Sequence, residues 1–535
     1  MELGVKLNKN TWAICFAEFF SSFSYFGVLS LLLLFLLQNL QLPQKESYNI
    51  VGNFSGVSFI SALAGGLIGS RYLSERLCCL LGFIGYTAGY FILINYQAST
   101  FLYLGLALIA GGFGLFEPNI QILFGTHFSD ASNTKRNFAF IVFYLFNIVG
   151  QFLGAVTFVY VNTINLKYVF IAAGIISLVG LVFVIARYQE MMAIETKKIM
   201  KSNLFFETSV LILIFVITLY MLIQSNFSAL TDSWMMWLLL LAIIAVVFTT
   251  SGLLGFNDDE EALPETQAAR GNTPVGIFGA FLLFSLSFFT MLQSNVKSLF
   301  IMLFFPITIF LIATLAKADK ETRKRILSLF LLFFAGLVAV LCLRVCFGLI
   351  DLFTKNFVDN VLWGWHIQAS LFDASEKLLI LLVVVAVIGF IKYFAQRNAP
   401  LTSGVLMSFG LLMLALCFGF LAFGITLASS AKISPAWLFL AYLFMAIGEL
   451  CTIPIVISAI IGLAPREWRG GMMGLKFMVI GIGAYFSDEI GKLITPITGN
   501  PTLVTYQHLF LNWMLYTALF TLVFYFVWKS WGYKI

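Results

Sequence analysis

Residues 435–477 read PAWLFLAYLFMAIGELCTIPIVISAIIGLAPREWRGGMMGLKF, two apolar runs joined at LAPREW with one carboxylate, Glu449, set inside the first. A charge at the centre of a lipid-spanning helix costs about 2.5–3.5 kcal/mol on insertion scales and more in simulation, so it needs a partner or a use. Gly448 precedes it and Pro454 follows, so the helix is expected to bend or open there and present polar groups to a cavity. The rest of the chain surrounds this stretch with more of the same: 61% of the 535 residues are hydrophobic and 10% charged. Runs of about 20 apolar residues, enough to cross about 30 Å of hydrocarbon, recur from residue 11 to residue 528 with no long polar domain between them. The fold class is therefore an all-α polytopic membrane protein, since barrel strands would alternate over about 10 residues instead. Lys6 and Lys9 precede a first run that continues past Leu37 without a small-residue cleavage site, so it is expected to remain as the first span. Cys15, Cys342, Cys346, Cys417 and Cys451 fall inside apolar runs and read as small hydrophobes, not as a disulfide framework.

Spans fall near 11–38, 48–70, 76–95, 100–123, 138–162 and 168–187, then near 326–352, 368–391, 404–428, 435–461, 471–490 and 505–528. Between these two groups lie four shorter runs near 204–224, 234–255, 274–293 and 298–316, interrupted by the acidic linker NDDEEALPETQAARGN. Two crossings satisfy the same parity as four. The expected organisation is a six-helix bundle over 1–190, inserted transmembrane helices and linkers over 191–325, and a second six-helix bundle over 326–535. Basic clusters at Lys6 and Lys9, Arg71 and Arg76, Lys135 and Arg136, Arg187 with Lys197, Lys198 and Lys201, residues 317–325, Lys392 and Arg397, Arg466 and Arg469, and Lys529 and Lys534 all fall on one side of the zigzag. By the positive-inside rule that side, with both termini, is cytoplasmic. Two bundles around a site near the bilayer midplane is the plan of secondary transporters.

The opening stretch resembles the proton-dependent oligopeptide transporter family of the major facilitator superfamily, whose tenth and eleventh helices read roughly GELxxSPxGxS, LAP and GxMMGxWF. Gly448, Glu449, Leu450, Pro454, Ser458, residues 463–465, Met472, Met473, Gly474 and Phe477 match. In the same order along the chain, FAEFFSSFSYFG (16–27) is similar to ExxERFxYYG, GGLIGSRYLSER (65–76) to GGxxADRYLGRR, GFGLFEPN (112–119) to GxGxxKPN, FYLFNIVG (143–150) to FYxxINxG, and GWHIQASLFDASEKL (364–378) to GxEIPASxFQSxNPL. The resemblance implies a major facilitator fold, proton-driven uptake of small solutes by alternating access, and, from the bacterial members, a location in the inner membrane. It covers both groups of spans but not the insert, where those members carry two extra helices.

The departures fall on the residues that give the family its chemistry. Ser21 and Ser22 replace the Glu and Arg of ExxER, leaving Glu18. Leu29 stands for a basic residue, Glu117 for the helix-four Lys, Arg344 for the helix-seven Glu, Glu376 for the helix-eight Asn, Lys377 for the following Pro, Lys476 for the helix-eleven Trp, and Ser70 for the loop Asp. Candidate solute-binding residues are Glu449, Glu376, Tyr25, Phe26, Phe59, Asn147 and Lys476. The resemblance implies that Glu449 takes the solute's amino end, and that Tyr25, Phe26 and Phe59 stand where the family places rings beside the ligand. Asn147 falls one position early in its motif. Candidate proton-coupling or gating residues are Glu18, Glu117 and Arg344, because a desolvated carboxyl among like charges takes up a proton more readily than an exposed one.

Structural readings stand beside these. Glu449 could form an ion pair with Lys476; Glu18 and Glu117 could pair with Lys476 or Arg344, and Arg344, which cannot lose its proton, must face a carboxylate, a carbonyl or water. Asp373 and Glu376 share a helix face, with Lys377 pointing elsewhere, to snorkel or to meet another helix. Lys297 is expected in an interfacial turn. Gly65, Gly66, Gly111, Gly112 and Gly114 lie in no P-loop spacing and are expected to allow close helix approach. His127, His366 and His508 form no HExxH, so an intramembrane enzyme is not expected, nor is a metal, a cofactor or nucleic acid. The partners are a small solute, protons and the bilayer. A transport-inactive receptor or scaffold is the competing function.

Overall fold

The computed structural model describes residues 8–97, 99–191, 283, 287, 319–358, 361–362, 365–366, 369–397, 401–427, 432–494 and 502–532. Six helices come first: α1 (Lys9–Leu34, with a wider π turn over Phe35–Asn39), α2 (Gln44–Arg71), α3 (Glu75–Leu93), α4 (Ser99–Thr126), α5 (Asn133–Asn162) and α6 (Leu166–Ala186). After residue 318 come α7 (Lys320–Phe357), a two-residue hairpin of β1 (Val361–Leu362) and β2 (Trp365–His366), α8 (Ala369–Gln396), α9 (Ser403–Thr426), α10 (Pro435–Leu450), α11 (Ile453–Leu463), α12 (Arg469–Ile494) and α13 (Leu503–Trp531). Among the described residues eleven segments, with α10 and α11 counted as one, are long and apolar enough to cross a membrane. Apart from Leu283 and Ser287, the expected inserted spans and Lys297 lie outside the described residues.

Polar residues start the helices where backbone N–H groups lack an intrahelical acceptor. Asn8 Oδ1 accepts from Thr11 N at 2.9 Å, Ser74 Oγ from Leu77 N at 3.3 Å and Asn165 Oδ1 from Lys167 N at 2.9 Å. Asp319 accepts from the N–H groups of Glu321 and Thr322 and from the Thr322 hydroxyl, which together hold its carboxyl below the usual range. The broken span follows from its own residues. α10 ends at Leu450, α11 starts at Ile453 with Pro454 in its first turn, and the Thr452 hydroxyl donates to the Gly448 carbonyl (2.9 Å) in the gap.

Helices α1–α6 pack on one another, chiefly α3 on α4, α1 on α5 and α2 on α4, and the later helices do the same, with α9 on α13 and α10, α7 on α12 and α8 on α10. The two groups meet along α2 with α12 and along α5 with α8 and α11. Glycine sets the first seam: a Cβ on Gly66 would collide with the backbone carbonyl of Gly470, and one on Gly474 would lie 2.6 Å from Leu63 Cα. Gly65 approaches the Gly114 backbone just as closely, as expected for small residues at helix crossings. The second seam is polar. Arg136, 2% exposed, donates from Nε to the Ser458 carbonyl (3.0 Å); Ser458 Oγ donates to Asn137 Oδ1 (2.5 Å), and Ser403 Oγ to Asn133 Oδ1 (3.1 Å). Both seams are shut at the end of the molecule that carries the α2–α3, α4–α5 and α11–α12 turns. Cys15, Cys78, Cys79, Cys342, Cys417 and Cys451 are buried, free thiols.

Candidate functional site

Two clusters of buried charge lie where the helix groups face each other. In the first, Glu18 and Asn147 stand on neighbouring α1 and α5. Asn147 Nδ2 donates to Glu18 Oε1 and to Ser22 Oγ, both at 2.7 Å, and its own Oδ1 accepts from Gln151 (2.6 Å). Glu117 on α4 accepts from the Ser21 hydroxyl (3.4 Å) and from Gln121 Nε2 (3.3 Å), one turn along the same helix. Ser21 also lies 3.3 Å from the Tyr86 hydroxyl. Lys476 closes the cluster from α12: its ammonium donates to Gln121 Oε1 at 2.6 Å, sits 3.8 Å above the Phe477 ring, and feels the charges of both Glu18 and Glu117. Glu18 is wholly buried, Glu117 is 3% exposed and Lys476 5%.

The second cluster joins α8 and α10. Lys377 Nζ lies 3.0 Å from Glu376 Oε2 and 3.2 and 3.3 Å from the two oxygens of Glu449, so one ammonium serves two carboxyls. This corrects the expectation that Lys377 points away from Glu376. The long lysine stem reaches back across the helix surface, and Glu449 on the next helix draws it there. The opposite helix group closes this cluster too, through Tyr144 on α5, whose hydroxyl donates to Glu449 Oε1 at 2.5 Å. Glu376 is wholly buried, with one oxygen beside the Lys377 ammonium and its carboxyl against that of Glu449.

Rings line the space beside the first cluster. Tyr25 packs on Phe113 (4.5 Å between centroids), Phe54 (5.5 Å) and Phe26 (5.1 Å), while Phe59 and Phe477 meet Phe113 edge-on at 6.0 and 5.6 Å. The structure thus joins Tyr25 and Phe59 through Phe113 and Phe26 through Tyr25, and links Glu18, Asn147, Glu117 and Lys476 in one network.

The other pairings take a different form. Glu449 pairs with Lys377 and not with Lys476, because α12 turns Lys476 toward α4. Arg344 is exposed on α7, where its charge is felt at Tyr25. The Asp373 side chain lies outside the described residues. Among the described residues no three His, Cys, Asp or Glu side chains gather to hold a metal ion.

The sequence profile of the POT (PTR2) family matches residues 77–508. The chain belongs to the POT family. It is 23% identical over 486 residues to the peptide transporter YePEPT of Yersinia enterocolitica, covering 89% of this chain and 86% of that protein. It is also 23% identical to dipeptide and tripeptide permease B of Aliivibrio fischeri, covering 93% and 89%. Solved structures superpose over nearly the whole chain. A POT family transporter in complex with 5-aminolevulinic acid gives a TM-score of 0.68 at 17% identity, covering 98% of this chain and 97% of that one. Peptide transporter POT in complex with sulfate gives 0.67 at 17%, covering 99% and 96%. The fold is that of the major facilitator transporters, and the family is one of transporters, not enzymes.

Measured against the POT motifs, sequence reasoning missed Tyr144, Gln121 and Phe113 as partners. Tyr144 lies inside FYLFNIVG and Phe113 inside GFGLFEPN, so the stretches that identify the family also held these two. Gln121 falls one turn beyond Glu117, and that i, i+4 spacing is the signal that could have found it.

Proposed function

We propose that this POT family member is a proton-coupled secondary transporter that moves peptide-like or amine-bearing small solutes by alternating access. One observation carries the proposal: each buried acid pair is closed by a donor from the opposite helix group, Lys476 reaching Gln121 and Tyr144 reaching Glu449. Separating the two groups breaks both bonds, and a hydrogen bond to a charged group contributes about 1.5–3 kcal/mol. A proton or a solute that changes the charge of either pair therefore biases the equilibrium between closed and open states. In this reading Glu449, Glu376 and Lys476 meet the solute's polar groups, Tyr25, Phe26 and Phe59 flank it, and Asn147 orients Glu18. Glu18 and Glu117 carry the proton. Arg344, exposed on α7 with its charge felt at Tyr25, acts in coupling or gating.

The proposed organisation is a bundle over 1–190, an inserted membrane segment over 191–325 and a second bundle over 326–535, in a bacterial inner membrane with both termini cytoplasmic. The shut seams then lie on the cytoplasmic side, because the basic turns lie there. A thiol placed at residue 321 that reacted only from outside intact cells would overturn this orientation. Ser22, Leu29 and Glu117 stand at the α1 and α4 positions where the family carries basic groups for a solute carboxylate, so amine-bearing, cationic or carboxylate-masked solutes are favoured over zwitterionic dipeptides. Uptake into proteoliposomes with and without an inward proton gradient tests the proposal. Accumulation of dipeptide amides above equilibrium, only with the gradient, is expected; equilibration alone or no uptake sinks it.

A further inference from the structure

The second cluster holds two carboxyls and one ammonium in a nearly closed space. Glu376 and Glu449 contribute two acidic groups, Lys377 lies within 3.3 Å of both, and Tyr144 adds one neutral donor from α5. The Glu376 carboxyl is buried against the Lys377 ammonium and the Glu449 carboxyl, and two buried carboxyls side by side cost free energy unless a cation stands beside them. From another element, Glu18 on α1 reaches the cluster electrostatically through Tyr144 on α5. Lys476 is committed to Gln121 in the first cluster.

The Lys377 side chain keeps 18% exposure, and its stem is flexible, with donors that rotate freely. An ammonium is thus already in place between two carboxyls. We propose that Glu376 and Glu449 form an ammonium-binding site whose resident occupant is Lys377, a tethered cation that a solute amine displaces. The choice of an amine as the displacing ligand rests on the proposed transport function; the site itself does not.

A tethered occupant lowers apparent affinity by the fraction of time it vacates the site. Removing it therefore tightens binding of amines and leaves other ligands alone, whereas a lysine that only props the fold has no such effect. The test uses the purified full-length protein and measures binding of alanyl-alanine amide, its N-acetyl derivative and 1,4-diaminobutane. Lys377→Gln is expected to bind the amide and the diamine about tenfold tighter than wild type, with the N-acetyl derivative unchanged. Lys377→Arg, which keeps a tethered cation and grips carboxylates at least as well, is expected to bind the amide and the diamine no tighter than wild type; tightening equal to that of Lys377→Gln overturns the proposal. Amine binding that is equal or weaker in Lys377→Gln overturns the proposal.

If Lys377→Gln does not fold, Glu376→Gln serves instead, with an expected loss of about tenfold in amine affinity; unchanged affinity overturns the proposal. Uptake is measured separately. A wild type that accumulates none of the ligands, together with tighter amine binding by Lys377→Gln, sinks transport and keeps the site. Uptake that is intact while Lys377→Gln leaves amine binding unchanged does the reverse.

Discussion

The acid pair among the first six helices, Glu18 and Glu117, is held by neutral donors, whereas the pair among the later helices, Glu376 and Glu449, is held by a shared ammonium. Glu18 accepts from an amide, and Glu117 from a hydroxyl and an amide; their lysine, Lys476, stands one residue back, behind Gln121. Hydroxyls and amides both donate and accept, so such a shell accommodates a carboxylate or a carboxylic acid with little rearrangement. An ammonium only donates, so the Lys377 shell suits ionised carboxyls and exchanges one cation for another. The difference assigns proton handling to the first cluster and amine handling to the second, and each assignment breaks separately.

The largest expected effect is on the second. Glu449→Gln keeps the shape of the side chain and removes the charge that Lys377 and Tyr144 both hold, so concentrative uptake in proteoliposomes is expected to vanish while the protein stays folded by size-exclusion and melting. Unchanged gradient-driven accumulation would remove Glu449 from the mechanism and with it the amine half of the comparison.

Next in size is Glu117→Gln. An amide can still meet Ser21 and Gln121 but cannot take a proton, so stimulation of uptake by a proton gradient is expected to fall about tenfold while solute exchange without a gradient persists. Glu18→Gln should do the same to a smaller degree, because Asn147 already fixes that side chain. Loss of exchange and of gradient stimulation in equal measure would show that the first cluster handles solute as well.

The fold was legible because membrane spans announce themselves by length and hydropathy. The break in the tenth span was legible because Gly448 and Pro454 bracket Glu449; α10 ends at Leu450 and α11 begins at Ile453. The charges inside the spans were legible as residues that need an explanation, but their pairing was not. Whether Glu449 meets Lys377 or Lys476 depends on how α8 and α12 are rotated in the bundle, and a four-carbon lysine stem takes the ammonium well away from its own helical position. Tyr144 and Gln121 stayed hidden for the opposite reason: neutral polar side chains cost far less than charges inside a span, so sequence gives no sign that they have partners. The hairpin at Val361–Leu362 and Trp365–His366 is too short to leave a periodicity.

The variant with the smallest expected effect on uptake sharpens the comparison most. Tyr144→Phe removes one hydroxyl and keeps the ring, deleting the donor to Glu449 from the opposite helix group. A hydrogen bond to a charged group contributes about 1.5–3 kcal/mol, so the balance between sealed and opened states should move by about 10- to 150-fold. A thiol placed at Ile461, buried against Gly125 in the shut end of the molecule, reads that balance through its labelling rate. Gln121→Ala removes the matching donor-acceptor bridge to Lys476 in the first cluster and should speed labelling at residue 461 by a similar factor. The two variants are then equal as clasps but unequal in chemistry. Gln121→Ala also strips a hydrogen bond from Glu117, so it should alter the dependence of uptake on the proton gradient, whereas Tyr144→Phe should leave that dependence intact and weaken only the discrimination between amine-bearing and N-acetylated solutes. If Tyr144→Phe changes gradient dependence as much as Gln121→Ala does, the two clusters titrate as one unit and the division of labour between them fails.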